Sequence, residues 1–304
     1  MKGKDFLKIT DITADEVKDI IARGMILKHM TEWGEGPRPL AGKIGALIFH
    51  KPSLRTRVSF HVGIGQLGGD SVYLTDAEIG FGKRESIEDI ARVLSRYVDF
   101  IVIRTFSQED VEKLARYSSV PVINALTDLT HPCQIMGDAL TIMEKFGYIE
   151  GVPITYLGDP NNIVNSWLNL ASLLPMNLRI ATAEGLAPNE EILKQAVDAK
   201  RSKISILHDP KEAVSGARVI YTDVWASMHE KQKSQEKGEL LASFQVNDAL
   251  LSLASPDVIV MHCLPAERGR EITDEVMDGP HSVVLDQAEN RLHIQKAIIM
   301  HFMK

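Results

Sequence analysis

Short runs rich in β-branched residues recur along this 304-residue chain, and longer stretches with helical periodicity separate most of them. The runs are Ile44–His50, Ser71–Thr75, Phe100–Thr105, Val122–Asn124, Pro153–Leu157, Leu178–Ala183, Ile204–His208, Arg218–Thr222, Val258–His262 and Val283–Asp286. Most are nearly continuous in apolar residues rather than alternating. That pattern belongs to strands covered on both faces, as in a parallel sheet between helix layers. Between them, Glu85–Tyr97 places Ile87, Ile90, Val93, Leu94 and Tyr97 on one helical face, and Gln134–Phe146 does the same with Met136, Leu140, Met143 and Phe146. Thr13 and Glu16 have the spacing of a capping box, which predicts the start of the first helix. The expected fold class is α/β: two doubly wound parallel-sheet domains joined by interdomain helices. Their expected limits are residues 1–148 and 149–287. The segment 134–148 connects them, and the helical segment Ala288–Lys304 packs back on the first domain.

Charge narrows the function classes. Lys plus Arg number 34 and Asp plus Glu 41, a formal net charge of −7. A general nucleic-acid binder or a basic membrane-surface protein needs clustered excess cations. The first twenty residues contain no apolar signal core, and no apolar run approaches the ~20 residues a bilayer requires. The two cysteines, Cys133 and Cys263, lie far apart and outside any zinc-type spacing. A reduced, cytoplasmic protein with no disulfide, no metal and no cofactor is expected. The charged run His229–Glu239 is expected to be a solvated loop.

Ligands of open parallel sheets bind beyond the carboxyl ends of the strands. In this chain polar and cationic residues gather at those positions. His50-Lys-Pro-Ser-Leu-Arg-Thr-Arg57 follows the first run, Arg104-Thr105 closes the third, and His131-Pro-Cys-Gln134 comes shortly after the fourth. Gly158-Asp-Pro-Asn-Asn162 follows the fifth and Asp223-Val-Trp-Ala-Ser-Met228 the eighth. His262-Cys-Leu-Pro265 and Gln287-Ala-Glu-Asn-Arg291 close the series. Ser53-Leu-Arg-Thr-Arg57 is the most specific of these, a strand-to-helix turn with hydroxyls and guanidinium forks suited to phosphate. Taken singly, each residue has a bland reading: Ser53 as a cap, His131 as a satisfied core histidine, Cys263 as a small hydrophobe, Asp223 as a turn cap. Their shared placement is what points to a site. Gly63-Ile-Gly65-Gln-Leu-Gly68 matches a dinucleotide fingerprint only in letters, because it follows a helix and precedes a strand. The phosphate-loop motif G-x-x-x-x-G-K-[ST] is absent.

Together, Ser53–Arg57, His131–Gln134, Asp223–Met228, His262–Pro265 and Ala288–Arg291 resemble the aspartate/ornithine carbamoyltransferase family over essentially the whole chain. Ser227-Met228 and the His-Cys-Leu-Pro tetrapeptide favour its ornithine branch. The resemblance implies a carbamoyl-phosphate domain followed by an ornithine domain, assembled as a homotrimer or a multiple of trimers. It implies carbamoyl transfer to the δ-amine of L-ornithine, giving L-citrulline and phosphate without a covalent intermediate. On that resemblance, Ser53, Leu54, Arg55, Thr56, Arg104, His131, Gln134, Cys263, Leu264 and Arg291 hold carbamoyl phosphate. Asn162, Asp223, Ser227 and Met228 hold ornithine, and the segment after Met228 is a lid. Arg55, Arg104, His131, Cys263 and Asp223 carry the chemistry. Three positions depart from the family pattern: Leu54 for threonine, Gly80 for a glutamine that reaches carbamoyl phosphate, and His229 for glycine. Two other readings remain open, transfer to another amine such as putrescine or an acylated ornithine, and a noncatalytic family member. The second would be expected to lack Arg55, His131 or Cys263, and all are present.

Overall fold

A computed structural model of the chain describes residues 5–82, 84–225 and 231–303. The chain divides into two compact units. The first runs to Glu144 and resumes from Glu289 onward; the second is Lys145–Ala288. Both changes of unit fall inside helices, Pro132–Phe146 and Val284–Phe302.

In the first unit, strands β1 (Ile44–Phe49), β2 (Asp70–Thr75), β3 (Phe100–Arg104) and β4 (Val122–Leu126) form an all-parallel sheet in the order β2-β1-β3-β4. The second unit holds β5 (Pro153–Leu157), β6 (Asn177–Ala181), β7 (Lys203–Leu207), β8 (Val219–Thr222) and β9 (Ile259–His262), in the order β7-β6-β5-β8-β9 and again all parallel. Strands β1, β3, β5 and β8 are buried nearly end to end, as are β4 and β9 at one edge of each sheet, whereas β2 and β7 at the other edges are mostly half-exposed. The apolar runs therefore record helix cover on both faces. Ala46, Ile48, Ile101 and Ile103 pack with Ile90 and Leu114 in the first unit; Leu157, Ile220 and Val260 pack with Trp225 and Phe244 in the second. Among the described residues, no helix is long and apolar enough to cross a membrane.

Local signals act as expected at several helix starts. The Thr13 N–H donates to Glu16 Oε2 at 2.8 Å while the Glu16 N–H donates to Thr13 Oγ1 at 3.2 Å, opening Ala14–Glu32. Gly63 and Gly65 lie inside helix Leu54–Gln66, and Gly68 follows it at φ +86°, so these glycines end a helix instead of cradling a pyrophosphate.

Three expectations need correction. Val283–Asp286 is not a strand: Ser282 bridges to Val260, and the chain then enters helix Val284–Phe302. There Val284 is buried and Leu285 exposed, and Gln287 and Arg291 continue the buried helical spacing, a period that a four-residue apolar window hides. The charged run is helical over Lys231–Leu241, where Leu241 is buried and anchors its last turn. In helix Ile87–Leu94 the buried face is Ile87, Ile90 and Ala91, while Val93 and Tyr97 are exposed.

Candidate active site

Each sheet has one place where the strand order reverses, between β1 and β3 in the first unit and between β5 and β8 in the second. The loops leaving two such strands diverge to opposite faces and open a crevice at their carboxyl ends. Residues 53–56 follow β1 and Arg104 ends β3, and Asn162 and Asp223 follow β5 and β8; His131 and Gln134 come after β4, Cys263 and Leu264 after β9, and Arg291 lies in helix Val284–Phe302.

In the first unit, β1 hands over to helix Leu54–Gln66, with Ser53 as its cap: the Thr56 N–H donates to Ser53 Oγ at 3.2 Å. The Thr56 hydroxyl is fully buried. It accepts from Arg291 Nη2 at 2.8 Å and from Arg104 Nη1, at the end of β3, at 3.3 Å. Two guanidiniums thus converge on one hydroxyl at a helix start, whose own dipole adds positive potential. His131 records that potential. Its pKa is held well below 6.5, first by burial and then by Arg291 and Arg104. A neutral imidazole beside two cations is a hydrogen-bond donor that adds no third charge. Gln134, one turn into the helix beginning at Pro132, is buried and donates from Nε2 to Asp138 Oδ1 at 2.8 Å. Arg55 is half-buried on the first turn beside Thr56, and Leu54 is exposed. Arg57 lies over the Tyr73 ring at 3.8 Å, a packing role.

Gly80 explains its own departure. It caps the short helix Asp76–Ile79 at φ +64°, and a Cβ there would meet the Arg84 Cβ at 2.7 Å. This turn has no room for a glutamine.

In the second unit, the Asp223 carboxylate after β8 gathers three donors. The Cys263 thiol donates to Oδ1 at 2.8 Å, as does the Val224 N–H, and Asn161 Nδ2 donates to Oδ2 at 2.8 Å. Asn161 is itself pinned, because its Oδ1 accepts the Ile163 N–H at 2.9 Å as the cap of helix Asn162–Ala171. Asn162 is the first helical residue. The structure therefore brings Cys263 and Asp223 together, and Asn161, part of the segment 158–162 but not among the expected site residues, is an asparagine bonded to Asp223. Its signal was present: Asn directly before an apolar helix, just past a strand, is a cap position. Cys263 and Leu264 both belong to the second unit, not to that of Arg291. Ser227, Met228 and His229 lie outside the described residues.

Metal binding is a fair question here, since one donor atom each of Asp223, His262 and Cys263 lies within 4.8 Å of the others. However, His262 Nε2 bonds Glu271 Oε1 at 3.0 Å and His262 Nδ1 accepts the Leu264 N–H at 2.9 Å. Both imidazole nitrogens are engaged, so the arrangement is a hydrogen-bonded network. The other cysteine is inert: burial pushes the Cys133 thiol up to about 12. A cavity of about 490 Å³ in the first unit contains none of the candidate residues. Lys296 lines it, bonded to Thr31 Oγ1 at 2.7 Å and Gln66 Oε1 at 2.8 Å. The carboxyl ends of two helices also line it, and burial lowers the Lys296 ammonium's pKa to about 8.

Residues 4–144 match the carbamoyl-P binding domain of the aspartate/ornithine carbamoyltransferases, and residues 150–302 match their Asp/Orn binding domain. The chain belongs to the aspartate/ornithine carbamoyltransferase family. A relative named ornithine carbamoyltransferase from Syntrophus aciditrophicus is 49% identical over 97% of this chain and 98% of its own. A chloroplastic ornithine carbamoyltransferase of Pisum sativum is 49% identical over 98% of this chain and 80% of its own. Among solved structures, ornithine carbamoyltransferase from Pyrococcus furiosus superposes with a TM-score of 0.95 at 47% identity, covering 99% of this chain and 97% of that one.

Proposed function

We propose that this chain transfers the carbamoyl group of carbamoyl phosphate to the δ-amine of L-ornithine, releasing L-citrulline and phosphate. The observation that carries the reading is the convergence of Arg104 and Arg291 on the Thr56 hydroxyl at a helix start, beside a neutral His131. A small phosphate dianion is the ligand such a cluster suits. In this proposal Ser53, Leu54, Arg55, Thr56, Arg104, His131, Gln134 and Arg291 hold it, with Cys263 and Leu264 completing the contacts. Asn162, Asp223, Ser227 and Met228 hold ornithine, and Asn161 joins them through Asp223. No cofactor is needed, because the leaving phosphate supplies the driving force.

The reaction makes three demands. Charge grows on the carbonyl oxygen and on the leaving phosphate, and preorganised donors in a partly dry site stabilise it. The guanidiniums, the helix-start amides and the neutral His131 N–H are such donors. The nucleophile must be uncharged. An alkylamine resembles lysine, with a pKa of ~10.4, so its deprotonation near pH 7.4 costs roughly 4 kcal/mol. The Asp223 carboxylate, already the acceptor for the Cys263 thiol, is the group to orient the amine and take its proton. Finally, two substrates must be aligned, which is worth roughly 7–11 kcal/mol. No bond to sulfur is required: the amine attacks the carbamoyl carbon, the C–O bond to phosphate breaks, and the amine proton leaves through Asp223.

The same proposal takes the assembly to be the homotrimer, or multiple of trimers, that the family resemblance implies, and the location to be cytoplasmic. An amine panel with labelled carbamoyl phosphate tests the chemistry. Citrulline from ornithine should dominate. Carbamoylputrescine as the main product, or no transfer to any amine, would overturn it.

A further inference from the structure

Leu264 stands between the candidate thiol and a cis peptide bond to Pro265, with φ at +57°. A left-handed backbone costs a leucine roughly 1–2 kcal/mol, so the surroundings must impose it. The imposing groups form a buried chain. The Leu264 N–H donates to His262 Nδ1 at 2.9 Å. Because Nδ1 accepts, the neutral ring carries its proton on Nε2, and that nitrogen donates to Glu271 Oε1 at 3.0 Å. Both side chains of this pair have no solvent exposure at all. Glu271 Oε1 also accepts the Glu267 N–H at 2.6 Å, so the carboxylate ties together both ends of the segment that follows β9. Behind it, the His262 N–H donates to Gln287 Oε1 at 2.8 Å and Gln287 Nε2 donates to the Tyr221 hydroxyl at 3.3 Å. The ring is therefore held by its backbone, by Nδ1 and by Nε2.

We infer that His262, locked by Glu271 in the Nε2–H form, is a positioning residue for the reaction, which fixes Leu264 in its left-handed conformation beside Cys263. The inference rests on the proposed carbamoyl transfer for the role of Leu264, while the tautomer and the backbone fixation stand apart from it. A surface histidine would exchange tautomers freely. A buried one bonded to a carboxylate on one nitrogen and a backbone amide on the other has one tautomer that satisfies both partners. The opposite form would set Nδ1–H against the Leu264 N–H and leave Nε2 facing a carboxylate with no proton between them.

Two substitutions separate positioning from bulk stability. In His262→Phe the ring volume remains and the acceptor for Leu264 is gone. In His262→Asn the amide oxygen reaches nearly where Nδ1 lies, so the Leu264 bond survives. In the Phe variant kcat should fall roughly tenfold to a hundredfold, the range of one buried hydrogen bond with its orphaned partner, and the carbamoyl-phosphate KM should rise. The Asn variant should recover most of both losses, although both variants lose the bond geometry to Glu271 and unfold more easily. Normal kinetics in folded His262→Phe, or equal impairment in the two variants, would overturn the inference. Should the Phe variant not fold, nitrogen NMR of histidine-labelled parent protein still decides the tautomer: Nε2–H supports the lock and Nδ1–H refutes it. If the parent transfers carbamoyl to no amine, the functional reading fails, and the NMR result alone stands for or against the lock.

Discussion

Replacing Asp223 by Asn changes few atoms and leaves shape nearly intact, yet the hydrogen-bond inventory forbids a neutral outcome. The native carboxylate accepts from the Cys263 thiol, the Val224 N–H and Asn161 Nδ2, and donates nothing. An amide has one accepting oxygen and one donating nitrogen. If its nitrogen faces Asn161, two amide nitrogens oppose each other. Asn161 cannot turn round to help, because its own oxygen caps the Ile163 N–H at 2.9 Å. If the nitrogen faces the other way, it opposes the Val224 N–H, a backbone donor that cannot reverse. Every orientation sets one half-buried donor against another, a cost of about 1 kcal/mol, the low end for an unsatisfied group. The catalytic loss is separate. Removing the carboxylate proposed to orient the amine and take its proton should lower kcat/KM for ornithine by roughly 10²–10⁴. Urea unfolding and citrulline formation at saturating carbamoyl phosphate measure the two effects. The double variant Asp223→Asn with Asn161→Asp then splits them. The carboxylate introduced at position 161 still caps Ile163 and accepts from the introduced amide, so stability should return. The charge has moved, so activity should not. If the single variant is as stable as the parent, or if the double variant regains activity, the reasoning is wrong.

His131 predicts a pH signature of stability. Its folded pKa lies well below 6.5, so between those values the unfolded chain binds a proton that the folded chain refuses. The stabilisation is complete above pH 6.5 and is lost as pH falls toward the folded pKa. Urea midpoints should therefore decline more steeply on acidification for the parent than for His131→Gln, and parallel curves would contradict the burial and arginine field that lower it. Cys263→Ser keeps a donor to Asp223, so it should retain reduced carbamoyl transfer. Mass spectrometry of the parent quenched during turnover should show no carbamoyl adduct on Cys263; such an adduct would show that the sulfur carries the group.

The sheet architecture was legible because interior parallel strands have to be apolar on both faces, and nine of the ten β-branched runs overlap strands. Val283–Asp286 failed because a run that short fits the first turn of a buried helix equally well. Residues with unusual chemistry after strands were legible too: Thr56 with Arg104 and Arg291, and Asp223 with Cys263, do meet. Their supports were not. Asn161 holds Asp223 and Gln287 holds Tyr221 across 62 and 66 positions, and no local pattern marks a partner so far off; Glu271 lies only nine positions from His262, but a buried pair at that spacing has no sequence signature. The length of the charged run misled for a related reason: one buried leucine at its end, Leu241, suffices to hold a polar helix in place.

Both reversal points use the same economy of parts. After β1, Ser53 caps a helix and thereby fixes Thr56, the hydroxyl on which two arginines meet. After β5, Asn161 caps a helix with one end of its amide and holds Asp223 with the other. In each case the residue that ends the loop's freedom is also the one that aims the chemistry. A loop placed only by flexible side-chain contacts would lose ordering entropy when substrate binds, roughly 1–2 kcal/mol for each backbone residue it had to fix. A capped loop has already met that cost in folding, at the expense of stability alone. It follows that Ser53→Ala and Asn161→Ala should differ from ordinary cap losses. Beyond the ~1 kcal/mol typical of a lost cap, each should weaken the function of a neighbour it does not replace.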